Sequence, residues 1–166
     1  MNPPSPIYCK ALCIDPGASG GASFSDLVSG QPCDLHSWKS PRAATLFLER
    51  CLNGHTVFPA VIENVHATPI MSVSSAFSFG QNFGAWLGIL ASWDIPVWLV
   101  TPQEWQKGLA IPAEIQGTDR KAALKAMATT LFTPQKITLA NCDAALLGHV
   151  TALYRAKGTL PGKRDE

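Results

Sequence analysis

The chain is expected to fold as one α/β domain, a mixed five-stranded sheet with helices on both faces. Three observations carry that expectation. Tight turns join three short strands near the start, and wholly apolar strands then alternate with helical segments. Of the 166 residues 46% are apolar, enough for one sizeable core.

Charge and cysteine usage narrow the function classes. The net charge is +1, so no global basic field marks nucleic acid as a partner, and such binding must come from a local patch. Five scattered cysteines (Cys9, Cys13, Cys33, Cys51, Cys142) show neither a CxxC pair nor a Cys/His zinc spacing, which points to a reduced, cytoplasmic setting. Residues 1–6 lack the basic and apolar regions of a signal peptide and are expected to be flexible. The domain then spans 7–157, and 158–166 is a charged tail, expected to be mobile. From Pro69 to Trp93 there is no charge, but Ser, Gly, Gln and Asn are too frequent for a membrane span. A buried helix with a polar entry loop is expected there.

Taken in order, residues 7–15 read as a strand, Ala18-Ser19-Gly20-Gly21 as a hairpin turn, and Ala22–Ser25 as a second strand. A turn over Leu27–Pro32 leads to a third strand around Asp34–Trp38. Ser40 is a good N-cap with proline behind it, so a helix starts at Pro41 and ends at Asn53-Gly54. Val57–Glu63 is a strand, Ser74–Trp93 a long helix, and Ile95–Val100 another apolar strand closed by Thr101-Pro102. Helices follow over Thr118–Phe132 and Leu139–Ala156. The pattern is compatible with an RNase H-like fold and with other α/β sandwiches.

The stretch Ala11-Leu12-Cys13-Ile14-Asp15-Pro16-Gly17 organises the rest. An apolar strand ends in one carboxylate and Pro-Gly breaks it at once, which leaves Asp15 at a strand's carboxyl end. An aspartate before Pro-Gly also opens ordinary turns by bonding nearby backbone N–H groups. Glu63 repeats the arrangement, and if its strand lies parallel beside the first, both acids open onto one cleft edge. On a helical wheel Leu139, Leu146, Val150 and Leu153 fall within a stripe of roughly 60°, with Asp143 about 40° from Leu139. A carboxylate facing a core is costly unless it is paired or bound to a metal. Three hard oxygen donors without a Cys/His cluster suit Mg²⁺ or Mn²⁺ rather than zinc. Two such ions ~4 Å apart could activate water and stabilise a leaving 3′-oxygen in phosphodiester hydrolysis.

At this point a family resemblance emerges. Ile14-Asp15-Pro16-Gly17 resembles the opening strand of the RuvC family of Holliday junction resolvases, and Glu63-Asn64-Val65-His66-Ala67 its second acidic motif. Ser74–Gly84 is similar to the following helix of the phage and chloroplast members, and Leu99–Lys107 to their next strand and loop. Asp143-Ala144-Ala145-Leu146-Leu147 resembles the final helix. The likeness runs in the family's order from about Ile7 to Tyr154. It implies an RNase H-like fold, a homodimer, and a metal-dependent nuclease with two Mg²⁺ or Mn²⁺ per site. Its substrate would be a four-way junction, nicked in pairs to leave 5′-phosphate and 3′-hydroxyl ends. Asp15, Glu63 and Asp143 would be both catalytic residues and metal ligands.

Two departures stand out. The family carries an acid or a histidine shortly before the last carboxylate, whereas this chain has Thr138-Leu139-Ala140-Asn141-Cys142. Asn141 could offer one neutral oxygen; His149 points about 120° away from Asp143. The family's glycine-containing loop is replaced by Thr68-Pro69-Ile70-Met71. Lys107, Arg120, Lys121 and Lys125 are the candidate phosphate contacts, which position DNA without reading bases. Phe77 or Met71 could wedge into the junction, although Phe77, Phe79 and Phe83 equally suit core packing. Trp105 is expected to pack its loop down. Gly84, Ala85, Gly88 and Ala91 make Gly84–Trp93 a candidate dimer interface.

Two rival readings remain. A catalytically impaired protein of the same fold would bind branched DNA without cutting it. A sugar-kinase or actin-like phosphate-binding unit also opens with a strand and an Asp-x-Gly turn, but it needs paired domains and a second phosphate loop.

Overall fold

The computed structural model describes residues 8–52, 58–64, 66, 71–109, 111–112 and 114–165. At its centre runs β1 (Lys10–Asp15), buried from Ala11 onward. A strand covered on both faces needs apolar residues in both registers, which is why this one reads as a continuous apolar run. β2 (Gly21–Asp26) pairs antiparallel with β1, from Asp15↔Gly21 at one end to Lys10↔Asp26 at the other. β3 (Pro32–Ser37) pairs antiparallel with β2, with a register shift at Phe24/Ser25.

In α1 (Pro41–Leu52), Ser40 Oγ accepts the Ala43 N–H at 3.2 Å, the N-cap bond expected of it. Ala44, Phe47, Leu48 and Cys51 are buried, at the i, i+3, i+4, i+7 spacing of an amphipathic helix. β4 (Ala60–Glu63) lies parallel beside β1, α2 (Val73–Ser92) follows with Ser72 as N-cap, and β5 (Val97–Val100) lies parallel beside β4. Then come α3 (Pro102–Gln106), α4 (Gly117–Leu131), α5 (Cys142–Arg155) and β6 (Lys163–Arg164). The sheet order is β3-β2-β1-β4-β5-β6.

Strand alternation sorts the core into two layers. Leu12, Ile14 and Ile62 point to one face, where Phe47, Leu48, Trp86 and Leu90 of α1 and α2 cover them. Ala11, Cys13 and Val61 point to the other, under Trp105, Leu124, Ala128, Leu146 and Val150 of α3, α4 and α5. Helices therefore cover both faces of a mixed sheet, as expected.

Several expectations need correction. The sheet has six strands, not five. The charged tail, read as mobile, contributes β6 antiparallel to β5, with Leu99↔Lys163 paired and Arg164 lying 5.6 Å over the Trp98 ring. Gly162 allows this approach: its φ is +78°, and a Cβ there would sit 2.0 Å from the Leu99 carbonyl oxygen. A two-residue charged strand has no alternation for a sequence pattern to reveal. α3 stands where a loop was expected; Thr101 and Glu104 form a capping box around Pro102, a signature legible in Thr-Pro-x-Glu.

α2 is not a buried helix. Of its residues only Trp86 and Leu90 are buried, although it carries no charge. The α5 stripe is also different from the wheel. Leu139 lies ahead of the helix and is 51% exposed, and Leu153 is 43% exposed. Leu146 and Val150 are buried, but so are Ala144, Ala145, Leu147 and Gly148, because α5 is wedged between the sheet and α4. Among the described residues no helix is long and apolar enough to cross a membrane.

Candidate active site

Alternation already aims two of the three acids. Asp15 follows Cys13 at a spacing of two, and Glu63 follows Val61, so both carboxylates leave the sheet on the face that α5 covers. The parallel register pairs Ile14 with Ile62, and its next step sets Asp15 beside Glu63. Both residues are buried. Asp143, in the first turn of α5, completes the group from above the sheet.

Each acid has at least one oxygen held by a protein donor. Asp15 Oδ1 accepts the Gly17 N–H at 2.9 Å. The turn-opening and cleft-facing readings of Asp15 are therefore compatible, since one oxygen serves the Pro-Gly turn and Oδ2 has no protein donor among the described residues. Gly20 presses on the same residue: a Cβ there would lie 2.2 Å from the Asp15 carbonyl oxygen. Glu63 Oε1 accepts the Trp105 indole N–H at 2.8 Å. Asp143 Oδ1 accepts the Cys142 S–H at 3.2 Å. Burial pushes the Cys142 thiol up to about 12, with the Asp143 charge adding to it, so the sulfur keeps its proton and serves as the donor.

The electrostatics are those of a site short of positive charge. Burial raises the Asp15 carboxyl above the usual range, the Gly17 N–H opposes it, and the Asp143 charge adds to the rise. Burial, then the charge of Asp15, push Glu63 up to about 8; the Trp105 bond works in the other direction. The positive group present is Lys121, on α4. Its ammonium donates to Asp143 Oδ2 and forms an ion pair with it. Burial works to lower the Lys121 pKa, but the Asp143 charge and hydrogen bond outweigh burial and raise it.

The candidate DNA-contacting residues are therefore not alike. Lys121 turns inward to the carboxylates. Arg120 clasps the segment ahead of α4: its Nε donates to Gln106 Oε1 at 2.8 Å, and a terminal nitrogen reaches the carbonyls of Pro112 and Ile115 at 3.4 Å. Lys107 is exposed and Lys125 half-buried. Phe77 is 66% exposed, whereas Phe79 and Phe83 stack on each other with centroids 6.2 Å apart. Met71 is half-buried just before the N-cap of α2, and Thr68, Pro69 and Ile70 lie outside the described residues.

Trp105 and Cys142 are the residues the sequence reading did not place in the site. Trp105 does pack its loop down, being 1% exposed, but its indole nitrogen also fixes Glu63. The capping box was the available signal, because it turns α3 back over the end of β5, next to Glu63 on β4. Asn141, considered as a neutral ligand, is committed elsewhere. Its Oδ1 accepts the Thr138 N–H at 2.8 Å and its Nδ2 donates to the Lys136 carbonyl at 3.2 Å, which anchors the turn ahead of α5. His149 likewise lies away from the acids, against Phe132.

In donor chemistry the site fits a hard divalent cation: carboxylate oxygens without protein donors, in a desolvated setting that resists the charged form. Asp15 and Glu63 are the residues that would hold it. Among the described residues no group of three or more His, Cys, Asp or Glu side chains is gathered closely enough to enclose an ion. Asp143, tied to Lys121, stands partly apart.

No family model and no curated protein matches the sequence. Solved structures do match. Thermus thermophilus RuvC in complex with a Holliday junction substrate superposes with a TM-score of 0.71 at 15% identity, over 95% of this chain and 100% of that one. A second Thermus thermophilus RuvC structure gives 0.65 at 15% identity, over 94% and 99%. Over nearly its whole length, with carboxylates at the adjacent ends of β1 and β4 and at the start of α5, the chain has the RNase H-like fold that RuvC has.

Proposed function

We propose that the protein is a metal-dependent endonuclease that resolves Holliday junctions or related branched DNA by paired nicks. The observation that carries this reading is the pair Asp15 and Glu63 at the adjacent ends of β1 and β4, with Asp143 in the first turn of α5 over the same face, on a RuvC-like fold. A bound divalent cation, Mg²⁺ or Mn²⁺, would polarise the attacking water and the scissile phosphate. The chain's own residues do the rest. Asp15 and Glu63 would hold the ion through their free oxygens, while Gly17 and Trp105 hold the other oxygen of each so that the carboxylates do not rotate. Lys121 brings positive charge to where the phosphate develops negative charge. Hydrolysis forms the bond from water oxygen to phosphorus and breaks the bond from phosphorus to the 3′-oxygen. The attacking water gives up one proton to solvent, and the 3′-oxygen leaves with the electron pair and takes one up from solvent, so the ends are 5′-phosphate and 3′-hydroxyl.

Exposed Lys107 and half-buried Lys125 supply backbone contacts, and exposed Phe77 on α2 is the candidate wedge into the junction. Paired nicks need two centres, so the working unit is a homodimer. α2 is its interface, because an uncharged helix with only two buried residues leaves an apolar face to be covered. The setting is the cytoplasm, that of a bacterial host if the chain is phage-encoded.

A synthetic four-way junction compared with linear duplex, each with Mg²⁺ and with Mn²⁺, tests the reading. Nicking of the junction that disappears with Asp15→Asn supports it. The committed amide of Asn141 favours the alternative of a branch-binding protein without nuclease activity. Tight junction binding that is indifferent to metal and to Asp15→Asn, with no nicking, would establish that alternative instead.

A further inference from the structure

We propose that this site works with a single divalent cation, held by Asp15 and Glu63, and that the Lys121 ammonium supplies on Asp143 the charge a second cation would bring. The inference rests on the nuclease reading and specifies the metal requirement of the same site. It revises the expectation of two ions per site.

Charge balance is the first argument. Once ionised, as a bound cation requires, the three carboxylates carry three negative charges, and Lys121 neutralises one of them through its ion pair with Asp143. The remaining two, on Asp15 and Glu63, match one divalent cation. A second cation would leave the site with excess positive charge unless a fourth acid were present. The fourth position cannot help, because the Asn141 amide is tied to the Thr138 N–H and the Lys136 carbonyl.

Geometry is the second argument. Asp15 and Glu63 sit at the ends of adjacent parallel strands, where the sheet fixes their separation. Asp143 comes from a helix, and both of its oxygens are already engaged, Oδ1 by Cys142 and Oδ2 by Lys121. A second cation would have to displace the ammonium from Oδ2. Lysine suits this role, being a compact point charge on a flexible stem that can stay on Asp143 and still face a phosphate oxygen.

Titrating the full-length protein with Mn²⁺ tests the proposal by calorimetric stoichiometry and by electron paramagnetic resonance, neither of which depends on cleavage. One Mn²⁺ per chain with an uncoupled spectrum is expected, both alone and in complex with a junction whose scissile linkages cannot be hydrolysed. Lys121→Met should admit a second Mn²⁺ on the freed Asp143, and Lys121→Arg should not. Asp143→Asn should keep the single Mn²⁺ with affinity changed only a few-fold, while Asp15→Asn should abolish binding. Two Mn²⁺ per wild-type chain with a spin-coupled spectrum would overturn the inference and leave the nuclease reading standing. No Mn²⁺ binding at all would overturn both. The wild-type stoichiometry and Asp143→Asn decide the matter even if Lys121→Met fails to fold.

Discussion

The β1–β2 hairpin carries an aspartate near each end, and their environments are opposite. At one end, Asp26 accepts from the Ser29 N–H at 2.7 Å, the Ser29 hydroxyl at 2.9 Å and the Val28 N–H at 3.0 Å, and it pairs with Lys10 at 3.3 Å. These donors, the Ser29 backbone first, pull its pKa down to about 2. At the other end, Asp15 is buried with a single backbone donor, and burial pushes it up. Residue type and strand pair are the same; what differs is the supply of donors. A carboxylate that serves structure has its lone pairs filled by the protein, whereas one that serves chemistry is left short of positive charge at a cost to stability. On the proposed reading, that shortage is what a divalent cation would correct.

Four substitutions or titrations break or sharpen this contrast. Asp15→Asn should reduce junction nicking by about a hundredfold or more while leaving the metal-free protein as stable or more so, read by gel and by calorimetry. Trp105→Phe keeps the packed ring but removes the donor to Glu63, and isothermal titration should show Mn²⁺ binding weakened by about tenfold. An unchanged affinity would show that the indole serves packing alone.

The third test is pH. Glu63 has a folded pKa raised from 4.5 to about 8, so its contribution to metal-free stability is full below 4.5 and is lost as pH rises through about 8. Melting temperature should therefore fall across that window without metal, and Glu63→Gln should flatten the slope. Asp26 has the opposite sign: its contribution is present above 3.8 and is lost as pH falls through about 2. The smallest effect is that of Asp26→Asn on stability, a loss of about 1 kcal/mol in denaturant unfolding, because the group is partly exposed and solvent screens its ion pair.

Much of the fold and part of the site were legible beforehand. The apolar runs into Asp15 and Glu63 are strong signals because a strand buried on both faces leaves no polar residue until it ends. The Asp143 assignment is more instructive. The helical wheel places Asp143 beside a stripe whose outer members, Leu139 and Leu153, are exposed in the structure. The residue does lie beside the other two acids, but for a different reason: α5 begins at Cys142, where the Asn141 amide anchors the preceding turn and sets its first turn over the sheet edge. Wheel geometry assumes one apolar face, and α5 is enclosed on most sides. β6 and α3 escaped because a two-residue strand and a five-residue helix are too short for periodicity to register.

Sequence alone determined which acids end strands, and that carboxylates without a Cys/His cluster would suit a hard cation rather than zinc. Those properties follow from local chemistry: an apolar run, a Pro-Gly break and the hardness of carboxylate oxygen. Tertiary structure alone decided that Lys121 turns onto Asp143 and that Trp105 holds Glu63. These are contacts between residues 22 and 42 positions apart. No local pattern encodes them, because side chains settle on whichever partner the packed helices bring within reach.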